Sequence, residues 1–313
     1  MNTFQLWEPG VQPDILNGPE SFGNIEWDYP QFIENMYEPL RQQYPNYITR
    51  QSIGFDTTGE YEMWAYEFTP KHYTKTVYLQ SGVHVIETDA YFGLARLLTL
   101  IANRADERLC FIRDNVRLLI VPVVSVWGIS KRNDWLVDKA TGRRWTFPVY
   151  NAHNPAGVNS NRDFKDRKAT ETTNVIRYFE KHAKEICFAI DYHSTCGTGL
   201  GSYLLPYANG TPEDIAQKLK AVNLALYEKN PTEIPIKFMG EEKDYPVANF
   251  TNTFTQGFKD TFGVYTLIIE HNDYVYEKML GTSKTMTLSV ELLGNHLLQI
   301  CEDDAFMKLY KGV

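Results

Sequence analysis

Four runs of this chain are apolar almost without a break: "KTVYLQSG", "VRLLIVPVV", "EICFAIDYH" and "VYTLIIEHND". A strand with one wet face alternates apolar and polar residues, so an unbroken run marks a strand covered on both faces. Segments of helical periodicity separate these runs: "AYFGLARLLTLIANR", "TETTNVIRYFEKHAK" and "PEDIAQKLKAVNLALYEK". The helix "SKTMTLSVELLGNHLLQIC" closes the chain. The pattern predicts an α/β fold: one domain with a mixed, mostly parallel twisted sheet and helices on both faces. Two further strands, around "YITRQSIGF" and "YEMWAYEFT", flank the turn residues "DTTGE". Ahead of them "DYPQFIENMYEPLRQQYP" reads as a helix with Asp28 as its N-cap and Pro30 in the first turn. Residues 1–27, rich in Pro, Gly and Asn, read as an irregular arm, and residues 28–313 as the single domain.

With 313 residues, 43% of them hydrophobic, the chain can bury a large core. The formal charge of −8 argues against nucleic acid, which calls for a basic face, and against anionic membrane surfaces. No apolar run approaches the roughly 20 residues that span a bilayer. The start, "MNTFQLWEPGVQPDI", lacks the charged-then-apolar pattern of a signal peptide. The expectation is a soluble, by default cytoplasmic, protein, with non-Sec export or a phage association left open. The four cysteines form no CxxC, and Cys187 and Cys301 sit in apolar runs as buried thiols.

In sheets of this kind chemistry gathers beyond the carboxyl ends of the strands. His84 ends the first apolar strand, His193 the third and Glu270 the last. In "SGVHVIETD" the pair His84 and Glu87 is spaced to reach one metal from a strand-end turn, and His193 in "AIDYHSTCG" would be a third ligand. Two histidines and a glutamate form a known set for hydrolytic zinc, which lowers the pKa of its water to roughly 7. Singly, each has a plainer reading: a satisfied histidine, a carboxylate at a helix N-terminus, a histidine bonded within a turn.

Two more segments bear on the chemistry. "GVNSNRDF" sets Asn161 beside Arg162, and a guanidinium with an adjacent amide suits a carboxylate ligand, although a surface ion pair would use the same Arg. In "LIIEHND" the carboxyl of Glu270 follows three apolar residues, so its pKa is expected to rise toward that of a general base. His271 is expected to point to the other face of the strand.

The ordered set HxxE, NR, H and E resembles the zinc carboxypeptidases of the carboxypeptidase A-like metallopeptidase family. "GVHVIETD" is similar to that family's HxxE segment, "GVNSNRDF" to its GVDxNRNF, "DYHS" to its DxHS and "VYTLIIEHND" to its FTxELRD. "SIGFDTTGEYEMWAYEF" resembles its opening strands around an IGxSxxGR turn. The resemblance implies one Zn2+ per chain held by His84, Glu87 and His193. It implies Glu270 as the base that activates water and then protonates the leaving amine. Asn161 and Arg162 would bind the terminal carboxylate of a peptide substrate. Arg132, in "WGISKRND", would stabilise the oxyanion, with Arg143 and Arg144 as fallbacks, and Tyr245, in "EKDYPVANF", would cap the substrate.

The chain departs from the family pattern at several points. Val85 and Ile86 stand where relatives carry small residues, and "VSVWG" replaces an NPDG-like turn. Asn159 stands where an Asp orients a zinc histidine, which predicts weaker zinc binding or lower activity. A long insertion, "WLVDKATGRRWTFPVYNAHNPA", precedes the NR loop, and His153 within it reads as a loop residue. The expectation is a zinc-dependent carboxypeptidase. A bacterial cell-wall stem-peptide peptidase or an amide deacylase is the alternative on the same site. A binding or structural module with weakened catalysis is the alternative of another class. The oligomeric state has no signature in the sequence.

Overall fold

A computed structural model describes residues 27–85, 87–131, 154–194, 203–207, 212–229, 251–271 and 283–306, with backbone alone at 203–207, 271 and 283–286. Its strands are β1 (Ile48–Phe55), β2 (Glu62–Phe68), β3 (Lys75–Ser81), β4 (Val116–Val121), β5 (Phe188–Ser194), β6 (Tyr203–Tyr207) and β7 (Thr266–His271). They form one sheet in the order β1-β2-β4-β3-β5-β7-β6. The central four, β4, β3, β5 and β7, run parallel, and antiparallel strands close both edges. β3 and β4 are buried at every position, as their unbroken apolar runs require.

The strand order decides where a site can form. From β3 the chain crosses to β4 on one side, and β5 then returns on the other side of β3. The connections therefore leave the carboxyl ends of β3 and β5 in opposite directions, which opens a crevice between them. His84 and His193 lie at those two ends.

The helices are α1 (Tyr29–Met36), α2 (Glu38–Gln43), α3 (Thr88–Ala102), α4 (Glu107–Asn115), α5 (Val126–Lys131), α6 (Thr170–His182), α7 (Glu213–Lys229), α8 (Phe254–Phe262) and α9 (Ser283–Glu302). Asp28 caps α1 as expected, accepting from Gln31 N at 2.8 Å while the Gln31 side chain accepts from Asp28 N at 3.1 Å. The single helix expected over residues 28–45 is two, broken at Tyr37. Pro39 lacks the N–H that would reach Asn35, and its ring would clash with that carbonyl. Strand β6 and helices α4, α5 and α8 have no counterpart in the periodicity reading. No helix among the described residues is long and apolar enough to cross a membrane.

The two faces of the sheet are covered differently. On one, Tyr78 of β3 packs against Tyr178 and Phe179 of α6 and Phe258 of α8, and the rings of Phe179 and Phe258 stack 3.6 Å apart. α6 presents Thr172, Val175, Ile176, Phe179 and His182, a helical stripe, to this layer. On the other face, Tyr192 of β5 donates its hydroxyl to Ser289 O of α9 at 2.9 Å, and Ser289 Oγ donates to Asp89 O of α3 at 2.8 Å.

α8 also anchors the loop that carries Asn161 and Arg162. Thr253 caps its N-terminus, Asn252 Nδ2 donates to Arg162 O at 2.6 Å, and Phe254 N donates to Asn161 Oδ1 at 3.4 Å. Phe164 lies directly on Gly257, where a Cβ would overlap its ring. Gly257→Ala should therefore destabilise the protein by about 1–3 kcal/mol, the range for overpacking a filled core, as a lower urea midpoint. An unchanged midpoint would show that Phe164 can move aside without cost.

His296 of α9 is fully buried and donates from Nε2 to Asn223 Oδ1 of α7 at 2.6 Å. Burial pushes its pKa down to about 3, whereas the unfolded chain protonates near the ordinary value of about 6.5. Above that value both states are neutral and the residue has no pH effect. Between it and about 3 the unfolded state alone binds the proton, so stability falls with falling pH by up to about 1.4 kcal/mol per unit. Urea titrations from pH 7.5 to 5 should show this slope in the wild type and a shallower one in His296→Gln. Parallel slopes would remove His296 from the acid sensitivity.

Candidate metal centre

The turn after β3 is set by its neighbour strand. Gly82 adopts φ +61, the left-handed region that favours glycine, and a Cβ there would stand 3.1 Å from Val123 Cα. Ser81 Oγ donates to Pro122 O at 2.7 Å, Ser125 N to Gly82 O at 2.9 Å and Ser125 Oγ to Val83 O at 2.6 Å. These bonds pin residues 81–83 to the segment after β4. The chain then turns through His84, and Glu87 forms the N-cap position of α3. Val85 is buried, and Ile86 lies outside the described residues.

Three side chains meet at this crevice. His84 Nδ1 lies 2.5 Å from Glu87 Oε1, and His193 Nδ1 lies 2.9 Å from Glu87 Oε2 and 3.3 Å from His84 Nδ1. Ser194 N donates to Glu87 Oε2 at 3.2 Å. One ligand atom from each of His84, Glu87 and His193 falls within 4.8 Å of the others, so the group could hold a metal ion. Two imidazole nitrogens and a carboxylate are a donor set that suits a hydrolytic zinc.

The charges are balanced within the cluster. Burial alone would raise the Glu87 carboxyl, yet the two imidazoles hold it down at about 2. Burial opposes the His193 imidazolium, yet Asp191 and Glu87 hold it well above the usual histidine value. His193 Nε2 lies 3.1 Å from Asp191 Oδ1, and Gln80 Nε2 donates to that same oxygen at 2.9 Å. Sequence reasoning assigned no role to Asp191 or Gln80. The legible signal was Asp-x-His in "AIDYH", since residues two apart on a strand share a face.

Glu270 enters through the sheet. It is the register partner of His193 across the parallel β5–β7 pair, so the two side chains leave the same face side by side. Burial, the charge of Glu87 and that of Asp191 push its pKa up to about 8 against the pull of His193 and Arg162. Arg162 is therefore within electrostatic reach of Glu270. Its Nη1 donates to Asn161 O at 2.7 Å, and Arg162 as a residue is exposed while Asn161 is buried. Asn159 accepts from Asn161 N at 2.8 Å, capping the short turn that presents the pair.

Arg132, its fallbacks Arg143 and Arg144, His153 and Tyr245 lie outside the described residues, as does the His271 side chain. A separate cleft of about 570 Å3 opens between α1, α2 and the β1–β2 hairpin, lined by Glu38, Arg50, Tyr61 and Trp64 among others. None of the strand-end residues lines it. Its Arg50 pairs with Glu38 at 2.9 Å and lies over the Trp64 ring.

The chain can now be set beside known proteins. The model of the zinc carboxypeptidase peptidase family matches residues 33–292. Among solved structures it is similar to bovine thrombin-activatable fibrinolysis inhibitor, in complex with tick carboxypeptidase inhibitor. That match has 14% identity and a TM-score of 0.65, covering 94% of this chain and 100% of the other. Carboxypeptidase A from Helicoverpa armigera matches at 13% identity and TM-score 0.64, covering 91% and 76%. A metallo-carboxypeptidase from Burkholderia cenocepacia matches at 16% and 0.63, covering 88% and 69%. No curated protein sequence matches this chain. At such identities the structures speak for the fold, and the family model spans far more than half of the chain. The chain belongs to the zinc carboxypeptidase family of metallopeptidases.

Proposed function

We propose that this protein is a zinc-dependent carboxypeptidase that removes the C-terminal residue of a peptide, with one zinc per chain held by His84, Glu87 and His193. The observation that carries the reading is convergence. Three ligand-type atoms lie within 4.8 Å of one another, and Glu270 stands beside His193 across β5 and β7. A zinc ion bound there would polarise the scissile carbonyl and the attacking water as a Lewis acid. Glu270 takes a proton from that water on a carboxylate oxygen and returns it to the amine nitrogen that leaves. A carboxyl raised toward neutral pH suits both transfers.

Substrate orientation falls to the loop docked on α8. The guanidinium of Arg162, an exposed residue, pairs with the terminal carboxylate, and Asn161 adds a directional hydrogen bond from the same turn. Requiring that carboxylate makes the enzyme an exopeptidase. By resemblance, Arg132 stabilises the oxyanion of the tetrahedral intermediate and Tyr245 caps the substrate.

Metal analysis of purified protein should find about one zinc per chain in the wild type and almost none in His84→Ala. Zinc-free wild-type protein would overturn the reading. Glu270→Gln should keep its zinc and lose roughly 10²–10⁴-fold in hydrolysis of a blocked dipeptide, the usual share of a general base. Full activity in that variant would remove Glu270 from the chemistry. Amidating the peptide C-terminus should suppress cleavage, and equal rates on both forms would take the carboxylate role from Asn161 and Arg162.

A further inference from the structure

Tyr78, Gln80, Asp191 and His193 are four polar residues on one face of the sheet, all fully buried among apolar strands. Tyr78 and Gln80 are two apart on β3, Asp191 and His193 two apart on β5, and Gln80 is the register partner of Asp191. Two hydrogen bonds and one charge contact link them in order. The Tyr78 hydroxyl donates to Gln80 Oε1 at 2.8 Å, and Gln80 Nε2 donates to Asp191 Oδ1 at 2.9 Å. Asp191 Oδ1 lies 3.1 Å from His193 Nε2.

The order of these contacts has a chemical consequence. A tyrosine hydroxyl facing a carboxamide oxygen leaves the Gln80 amide nitrogen to face Asp191. The Asp191 carboxylate then stands 3.1 Å from His193 Nε2, a charge contact and not an aligned hydrogen bond, and its negative charge favours the histidine proton on that nitrogen, leaving Nδ1 to face Glu87 and His84. Among the described residues, Oδ2 of Asp191 has no hydrogen-bond partner, so the orientation of this carboxylate depends on the bond from Gln80.

We infer that Gln80 and Tyr78 are positioning residues for the metal centre: they hold Asp191 so that His193 offers Nδ1 to the ion in one tautomer and one ring orientation. This rests on the zinc peptidase reading above and adds to it two residues that touch neither substrate nor metal. The packing supports a fixed post. Tyr78 packs edge-on against the stacked rings of Phe179 of α6 and Phe258 of α8, so its ring is held by the same helix α8 that anchors the Asn161–Arg162 loop.

The test measures metal binding directly. Zinc affinity is read by competition with a chromophoric chelator, and ligand geometry by the visible absorption of the cobalt(II)-substituted protein. Gln80→Met, which keeps the volume and removes the amide, should weaken zinc about 10–100-fold and change the cobalt spectrum. Tyr78→Phe, which removes one oxygen, should act in the same direction by a few-fold. A purely structural role would lower the urea midpoint and leave affinity and spectrum unchanged in both variants, and that result would overturn the inference. If Gln80→Met does not fold, Tyr78→Phe decides alone. Wild-type protein that takes up no metal fails the peptidase reading. Wild-type protein that binds zinc no more tightly than folded variants fails the positioning role alone.

Discussion

A carboxylate buried between two imidazoles is the contact on which the rest of this site depends. Glu87 is nearly inaccessible, and a buried charge is tolerated only when its oxygens are satisfied by partners of opposite sign. Its partners come from its own turn, as His84, and from the far side of the crevice, as His193 and the Ser194 amide. The contact therefore ties the β3–α3 turn to the end of β5 at the point where the strand order reverses. Elsewhere the two strands are held by ladder hydrogen bonds, apolar packing and the bond from Gln80 to Asp191.

The sheet register sets further polar groups beside this contact. Parallel pairing sets Gln80 opposite Asp191 and His193 opposite Glu270, so one face of three adjacent strands carries the polar groups in order. A slip of one residue between β5 and β7 would send Glu270 to the opposite face. The apolar residues at alternate positions guard against that slip: Ile190 and Tyr192 on β5 and Leu267 and Ile269 on β7 are all buried. Sequence-distant groups meet here because core packing fixes the register.

Much of this was legible in the sequence. Unbroken apolar runs announced β3, β4, β5 and β7, and periodicity announced α3, α6, α7 and α9, because those elements are buried in proportion to their pattern. α4 was not legible: its mean burial is low, with only Leu109 and Ile112 buried, and its face is mostly charged. The break at Tyr37 needed Pro39 to be weighed against a continuous helical stripe. Within the site, His84, Glu87, His193 and Glu270 stood out at strand ends, where a polar residue follows an apolar run. Gln80 and Asp191 did not, since a polar residue inside such a run has no meaning until the register shows which partner it faces. Asn159 illustrates the converse. Its type predicts weaker zinc binding, and its side chain also caps the turn that presents Asn161 and Arg162, a role its type did not announce.

The charge around the centre bears on that expectation of weakness. Glu87 and Asp191 bring two negative charges to His84 and His193, matching a divalent ion when both imidazoles are neutral. His193 is held well above its usual pKa by Asp191 and Glu87 against the cost of burial. A metal ion held there would have to displace the His193 proton, so its affinity would fall as pH falls. Asp191, two residues before His193 on β5, places a negative charge 3.1 Å from that imidazole.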